Sequence, residues 1–499
     1  MSTSLKNPSP DKRQSPYDNI SPSLQCTTRL PKGIVREVKD AVAYARRFND
    51  EVARSIVLEQ DRRTFEDPDY MPWELMQKAN EWGFYTMFIP KIYGGKGIST
   101  LAFPYVTEEL ASVCVGFANV MFVHYLGVSG LLLSLNFSLV NRVIGEVIDG
   151  EKREKPCLVS LAITEPGAGT DVEDRVLVDR ANLSCFARRV EGGYVVNGSK
   201  IFISMGHVST WCCLITYEPQ KKPSEAMVSF AVKMGTKGFS FGRHEDKMGQ
   251  RVCPASELRF DDCFLADEFV LNDESFFQGV PQREIVEQGS HMVLGMSRAG
   301  VSAFGTGVAR GAYEDALEFA LNTTVDGKLL INHEWVQHLL AQMYMNYKLG
   351  RLCYAEVIYA DVVSGGLSAL LLNKVVYYYM KFMPTAFIRK IASLFLNSKL
   401  MPKIAVKMMA QNLNLESAFL TSGYGSMAKI VGTDMGVKNC QLALELMGQA
   451  GLRHDRGIEK RLRDSKLLQI YEGTNQLNHI NLFNCHIGRF FPQVKVFED

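Results

Sequence analysis

The sequence predicts an α+β chain, mainly α, built from an N-terminal helical domain, a central β domain and a C-terminal helical bundle. Three observations predict it. Apolar positions recur at three- and four-residue spacing over 33–155, short β-rich runs punctuated by turn residues fill 156–271, and helical spacing returns over 272–499. With 499 residues, 46% hydrophobic and 22% charged, the chain has the composition of an ordinary globular protein with room for two or three domains.

Residues 1–32 carry Pro8, Pro10, Pro16, Pro22 and Pro31 among serines and mixed charges, which predicts a mobile tail. The tail lacks the apolar core of a secretory signal, and Asp11 and Asp18 interrupt any basic amphipathic helix. Helix begins near Pro31, where Val35, Val38, Val42 and Ala45 share a face. YGGKG at 93–97 breaks it, and FANVMFVHYLGVSGLLLSLN at 117–136 is apolar nearly all round, as a helix buried in a bundle would be. From about Pro156, LVSLAIT, GGYVVNGSKIFISM and STWCCLITY read as strands, and Asn197-Gly198 signals a hairpin turn between YVV and KIFI. GTGVARG at 305–311 resembles a dinucleotide loop, but no strand precedes it; small residues for close helix packing are expected instead.

One segment departs from the rest. No acidic residue occurs between Asp361 and Glu416, while Lys374, Lys381, Arg389, Lys390, Lys399, Lys403 and Lys407 are all basic. Its two apolar stretches, LSALLLNKVVYYYMKFM and TAFIRKIASLFLNSKLM, contain cations and fall short of the roughly 20 apolar residues of a bilayer span. Two readings stand: a cationic amphipathic pair on an anionic membrane surface, or a helical hairpin packed on its own bundle or a partner protein.

The net charge of +1 gives no reason to expect nucleic acid. Eleven cysteines without paired ligand spacing, and scattered histidines, give no metal site; the cysteines are read as reduced, in the cytoplasm or, in a eukaryote, the mitochondrial matrix.

Three motifs carry chemistry. ITEPGAGTDV at 163–172 puts glycines in a tight turn after a strand, where backbone N–H groups can meet a phosphate or the edge of a flat cofactor. KMGQRVCPASELRFDD occupies 247–262. RLRDSKLLQIYEGTNQ at 461–476 sets Glu472 just after Leu467, Leu468 and Ile470, which reads as a base in a dry pocket or a solvated helix-end charge.

In this order and spacing the three motifs resemble the acyl-CoA dehydrogenases, a likeness that covers about 33–366 and 424–488 and leaves 367–423 as an insertion. The resemblance implies the same three-part fold, an FAD cofactor and oxidation of the Cα–Cβ bond of an acyl-CoA to the trans-2-enoyl-CoA. It places the base at Glu472, in surroundings dry enough to raise its proton affinity, with its own N–H as a donor to the thioester oxygen. Some branches carry the base beside the arginine matching Arg298; here that position is Ser297, which leaves Glu472 without a rival.

Further matches put Leu161, Ile163 and Thr164 along the isoalloxazine and Gly169 and Thr170 at the pyrophosphate. Phe202 and Ser204 stand in place of the usual tryptophan and threonine, and Thr474 and Gln476 follow the base. Glu445 and Gly448 match the adenosine end across subunits. Arg298, Tyr471 and Gly473 fall at the substrate. Thr323 replaces an arginine that reaches a neighbour's FAD, and Glu334 and Glu445 replace glutamines. The implied partners are an acyl-CoA and an electron-transfer flavoprotein or membrane redox partner, with a homodimer or homotetramer as assembly. An acyl-CoA oxidase or flavin monooxygenase on the same fold is the alternative, and a non-catalytic nucleic-acid-associated flavoprotein the remote one.

Overall fold

The structure, a computed structural model, describes residues 21–26, 28–277, 279–280, 282–364, 372–396, 398, 400–491 and 493–497. In the N-terminal domain, α1 (Pro22–Cys26), α2 (Ile34–Phe48), α3 (Arg54–Glu66) and α4 (Trp73–Glu81) precede α5 (Phe103–Ala111), α6 (Val115–Leu132) and α7 (Phe137–Lys152). Helix α2 buries Ile34, Ala41, Ala45 and Phe48 and half-buries Val38 and Val42, so its inner face is turned from the one expected, and Val35 is 60% exposed. Helix α6 is long and apolar enough to cross a bilayer, yet 78% of it is buried inside the protein, as a core helix is. The described residues among 21–32 are more ordered than a mobile tail. Ser23 N–H donates to Glu356 at 3.1 Å, and Cys26 is fully buried with its thiol on the Tyr359 carbonyl at 3.4 Å. The first twenty residues lie outside the described set.

The central sheet comprises β1 (Val159–Ala162), β2 (Phe186–Val190), β3 (Gly193–Ser204), β4 (Trp211–Tyr217), β5 (Met227–Lys233), β6 (Phe239–His244), β7 (Ala255–Ala266) and β8 (Val270–Asn272). Its order is β6-β7-β3-β2-β4-β5-β8, with β1 parallel to β4 through Val159 opposite Trp211. Asn197-Gly198 is not a hairpin turn. Strand β3 runs through it, and the pairing with β7 shifts register between Val196 and Gly198. Gly198 takes φ 123°, and a Cβ there would lie 2.3 Å from the Ser184 carbonyl. The glycine serves a bulge and a close approach rather than a chain reversal.

The C-terminal bundle is made of α9 (Gln282–Asn322), α10 (Glu334–Val363), α14 (Leu415–Met447), α15 (Ile458–Leu468) and α16 (Asn475–His486); the short α8 (Arg175–Val178) belongs to the β domain, and a hairpin of β9 (Thr324–Val325) and β10 (Lys328–Leu329) follows α9. GTGVARG lies inside α9 and does pack closely: a Cβ on Gly305 would lie 2.2 Å from the Gly432 carbonyl of α14.

The described part of the insertion forms α11 (Lys374–Phe382), α12 (Thr385–Leu396) and α13 (Met401–Gln411), with Pro384 just ahead of α12 and Pro402 in the first turn of α13. These helices pack on the body of the protein. Tyr377 donates to Glu37 at 2.8 Å, Lys91 donates to the Lys381 carbonyl at 3.0 Å, and Val406 joins Leu135, Phe277 and Ile285 in a small apolar cluster.

Candidate active site

Glu472 sits in the loop between α15 and α16, at φ 55°. The left-handed region disfavours a side chain by about 1–2 kcal/mol, so surrounding contacts must hold it there. Helix α9 does so from both ends of the residue. The Ser297 hydroxyl donates to Glu472 Oε2, and next in sequence Arg298 Nε donates to the Glu472 carbonyl at 3.4 Å. Asn478 Nδ2 reaches the same carbonyl at 3.2 Å, and Lys429 of α14 donates to the Gly473 carbonyl at 2.7 Å and to Asn475 Oδ1 at 2.8 Å. The Glu472 N–H finds no acceptor among the described residues.

The Arg298 side chain is 2% exposed and wholly engaged with protein, since Nη1 donates to Ser426 at 3.1 Å and Nη2 pairs with Glu173 at 3.3 Å. The expected substrate arginine therefore stands behind the Glu472 loop and positions it. Tyr471, also expected at the substrate, donates to Gln250 at 3.2 Å, and the buried Gly473 takes φ 73° with Glu173 against it.

Two expectations need correction. The apolar neighbours of Glu472 in sequence do not surround it: Ile470 is 58% exposed and Leu468 turns into the core, whereas Ser297, Arg298, Glu173 and Asn478 make its surroundings. A turn sends successive side chains in different directions, so nearness in sequence is not nearness in space. Glu472 also has a rival, because Glu173, from the turn after β1, is a second carboxylate at the site. Burial pushes the Glu173 carboxyl up to about 7; Arg298 pulls it down, and the charge of Glu472 adds to the rise. Burial likewise holds the Lys429 ammonium down, to about 8.

Sequence reasoning missed Glu173 and Lys429. Glu173 immediately follows the quoted ITEPGAGTDV, and Lys429 is the sole cation in the small-residue run SGYGSMAKIVG of α14. A lone charge among small residues was the available signal.

Strands β1 and β3 supply a wall that fits the flavin expected here. Ile201 N–H donates to the Thr164 carbonyl at 2.9 Å, which joins the end of β1 to KIFIS. Leu161, Ile163, Thr164 and Ser204 are half-buried, and Phe202, at φ 57°, is 56% exposed. A large aromatic left this open beside hydroxyls suits a flat ring with polar edges. Gly169 is exposed, and a Cβ there would meet nothing nearer than 4.0 Å, so its backbone is accessible to a phosphate; Thr170 follows at the start of a short helical turn. The turn is braced from beneath by a fully buried pair, Lys200 donating at 2.8 Å to both Glu165 and the Ile163 carbonyl. Thr474 caps α16 by accepting from Leu477 N–H, and Gln476 is exposed. Glu445 and Gly448 are exposed at the C-terminal end of α14, and Thr323 leads into the exposed β9–β10 hairpin.

Among the described residues one cluster, Asp61, His454 and Glu459, has metal-ligand spacing, but Arg463 already pairs with Asp61 at 2.8 Å and Glu459 at 2.7 Å.

Comparisons with known proteins agree with the geometry. The acyl-CoA dehydrogenase N-terminal domain matches residues 36–150, the middle domain 160–263 and the C-terminal domain 290–397 and 398–484. The chain is 26% identical to a cyclohex-1-ene-1-carbonyl-CoA dehydrogenase of Syntrophus aciditrophicus, over 80% of this chain and 78% of that one. It is 25% identical to a probable medium-chain specific acyl-CoA dehydrogenase 2, mitochondrial, of Caenorhabditis briggsae, over 93% and 94%. The butyryl-CoA dehydrogenase structure from Megasphaera elsdenii shares the fold with a TM-score of 0.67 at 20% identity, over 89% of this chain and 97% of that one. The three domains in sequence, the flavin wall and the braced glutamate loop make this chain a member of the acyl-CoA dehydrogenase family, FAD-dependent oxidoreductases.

Proposed function

We propose that Glu472 removes the α-proton of an acyl-CoA thioester, giving the trans-2-enoyl-CoA. The observation that carries this is the two-ended hold on Glu472. Ser297 engages Oε2 alone, which leaves the other carboxylate oxygen for a proton, while Arg298 and Asn478 hold the carbonyl and the N–H of the same residue meets no acceptor among the described residues. That N–H is the donor available to a thioester oxygen as negative charge develops on it. Glu173 is the lesser candidate, because Arg298 and the Gly473 N–H already engage its carboxylate. Leu161, Ile163, Thr164, Phe202 and Ser204 would hold the isoalloxazine and Gly169 and Thr170 the pyrophosphate. FAD, when bound, supplies the acceptor for the β-hydrogen as hydride.

Electrons then pass to an electron-transfer flavoprotein or a membrane redox partner. An exposed stripe on α10, with Trp335, Met345, Leu349 and Leu352, supports self-association as a homodimer or homotetramer. Eleven free cysteines, ten of them buried, suit a reducing compartment, cytoplasmic or mitochondrial.

Anaerobic mixing of the FAD-loaded protein with a panel of linear, branched and cyclic acyl-CoAs tests the reading. Flavin bleaching is expected in the wild type and in Glu173→Gln, and its loss in Glu472→Gln. Undiminished bleaching by Glu472→Gln would remove Glu472 as the base.

A further inference from the structure

The insertion is already docked on its inner side. Each of its helices turns one apolar anchor into the protein: Tyr377 from α11 (6% exposed), Ile388 from α12 (4%) and Val406 from α13 (4%). Yet each also carries a second apolar face, aimed at solvent. On α11, Val375, Tyr379 and Phe382 follow one another at four- and three-residue spacing, and Val375 and Phe382 are 78% and 75% exposed. On α12, Phe387 and Ile391 are exposed one turn apart. From Leu400, just ahead of α13, through Ile404 and Met408 within it, apolar side chains stand at four-residue spacing, all exposed.

Cations share these faces. Lys390 lies between Phe387 and Ile391, and Lys403 and Lys407 alternate with the apolar line of α13 at three- and four-residue spacing. All three are exposed, and none has an ion-pair partner among the described residues. Helices α11–α13 contain no acidic residue to oppose them.

We propose that the outer face of α11–α13 docks on an anionic lipid surface. A second copy of this face would bring lysine against lysine. A protein partner would be expected to find hydrogen-bonding side chains on the patch, and here the stripes offer aliphatic and aromatic groups and cations, with the Tyr379 hydroxyl as their uncharged polar group. Apolar side chains entering the acyl boundary, with lysines extended to phosphates alongside, satisfy both halves of the pattern at once. The inner anchors keep the three helices folded away from lipid, so docking needs no unfolding of the bundle.

The proposal rests on no step of the catalytic reading. It is tested by co-sedimentation of the full-length, FAD-loaded protein with vesicles of phosphatidylserine and phosphatidylcholine in equal parts, and with vesicles of phosphatidylcholine alone. Association with the anionic vesicles is expected to exceed that with the neutral ones by about tenfold or more and to fall as salt rises. The exposed triple variant Val375→Glu, Phe382→Glu, Met408→Glu is expected to lose at least about tenfold of it, with flavin absorbance and melting temperature unchanged. Equal pelleting on the two vesicle types, or undiminished binding by the triple variant, would overturn the proposal. Concentration-dependent self-association that the triple variant abolishes would also overturn it, assigning the face to a second copy. A protein that pellets but bleaches no flavin would count against the catalytic reading alone.

Discussion

Ser297 and Glu472, 175 residues apart in sequence, are joined by a hydrogen bond from the serine hydroxyl to the carboxylate. The bond sets the rotamer of a side chain whose backbone already lies in an unfavourable region. Ser297→Ala removes it without adding bulk. A hydrogen bond to a charged group is worth about 1.5–3 kcal/mol, so kcat is expected to fall by about tenfold to a hundredfold with KM little changed. Ser297→Thr, which keeps the hydroxyl, should restore most of the loss; failure of threonine to rescue would show that packing, not the bond, matters there.

Arg298 connects three elements, reaching the Glu472 carbonyl, Ser426 of α14 and Glu173 of the β domain. A lysine keeps the charge but cannot present three donors in one plane. Arg298→Lys is expected to retain FAD, measured by the flavin-to-protein absorbance ratio, while the rate of anaerobic bleaching falls by about tenfold or more.

Glu173 makes stability depend on pH. Its folded value near 7 lies above the ordinary 4.5, so between these limits the folded chain keeps a proton that the unfolded chain releases. This stabilising contribution is full below pH 4.5 and is lost as pH rises through 7. At about 1.4 kcal/mol per unit the loss amounts to at most about 3.5 kcal/mol. Melting curves of Glu173→Gln should exceed the wild type above pH 7 and converge on it near 4.5. Parallel curves across that range would contradict the assignment.

Lys429 is fully buried and holds Gly473 and Asn475, just after Glu472. Lys429→Met fills similar space but leaves the Gly473 carbonyl and Asn475 Oδ1 short of a donor. Urea unfolding is expected to show a loss of about 2 kcal/mol or more, and bleaching should slow because the loop loses its support.

The layered fold was legible because its signals are periodic. The existence of α2, the all-round apolarity of α6 and the strand runs of the β domain follow from sequence pattern alone. Asn197-Gly198 misled because the same dipeptide that closes a hairpin also suits a bulge, and only the partner strand β7 decides between them. Glu472 was singled out by its motif, but the residues that surround it were not legible. Ser297, Glu173 and Lys429 arrive from three elements distant in the chain, and no local pattern encodes their meeting. For the insertion, the reading of helices packed on their own bundle describes the inner side. Tyr377, Ile388 and Val406 pack on the protein's own body, and the opposite faces remain outward.

Helix α9 has a geometric consequence. Near its start Gln288 accepts from Asn414 N–H and Ile285 packs on Val406 of the insertion, and nine residues beyond Gln288 the same helix presents Ser297 to the glutamate. At about 1.5 Å per residue the interval is about 14 Å. No proline interrupts α9, so the span behaves as a strut rather than a joint. A displacement of the insertion at Val406 would therefore be carried along one rigid rod to the serine that holds Glu472.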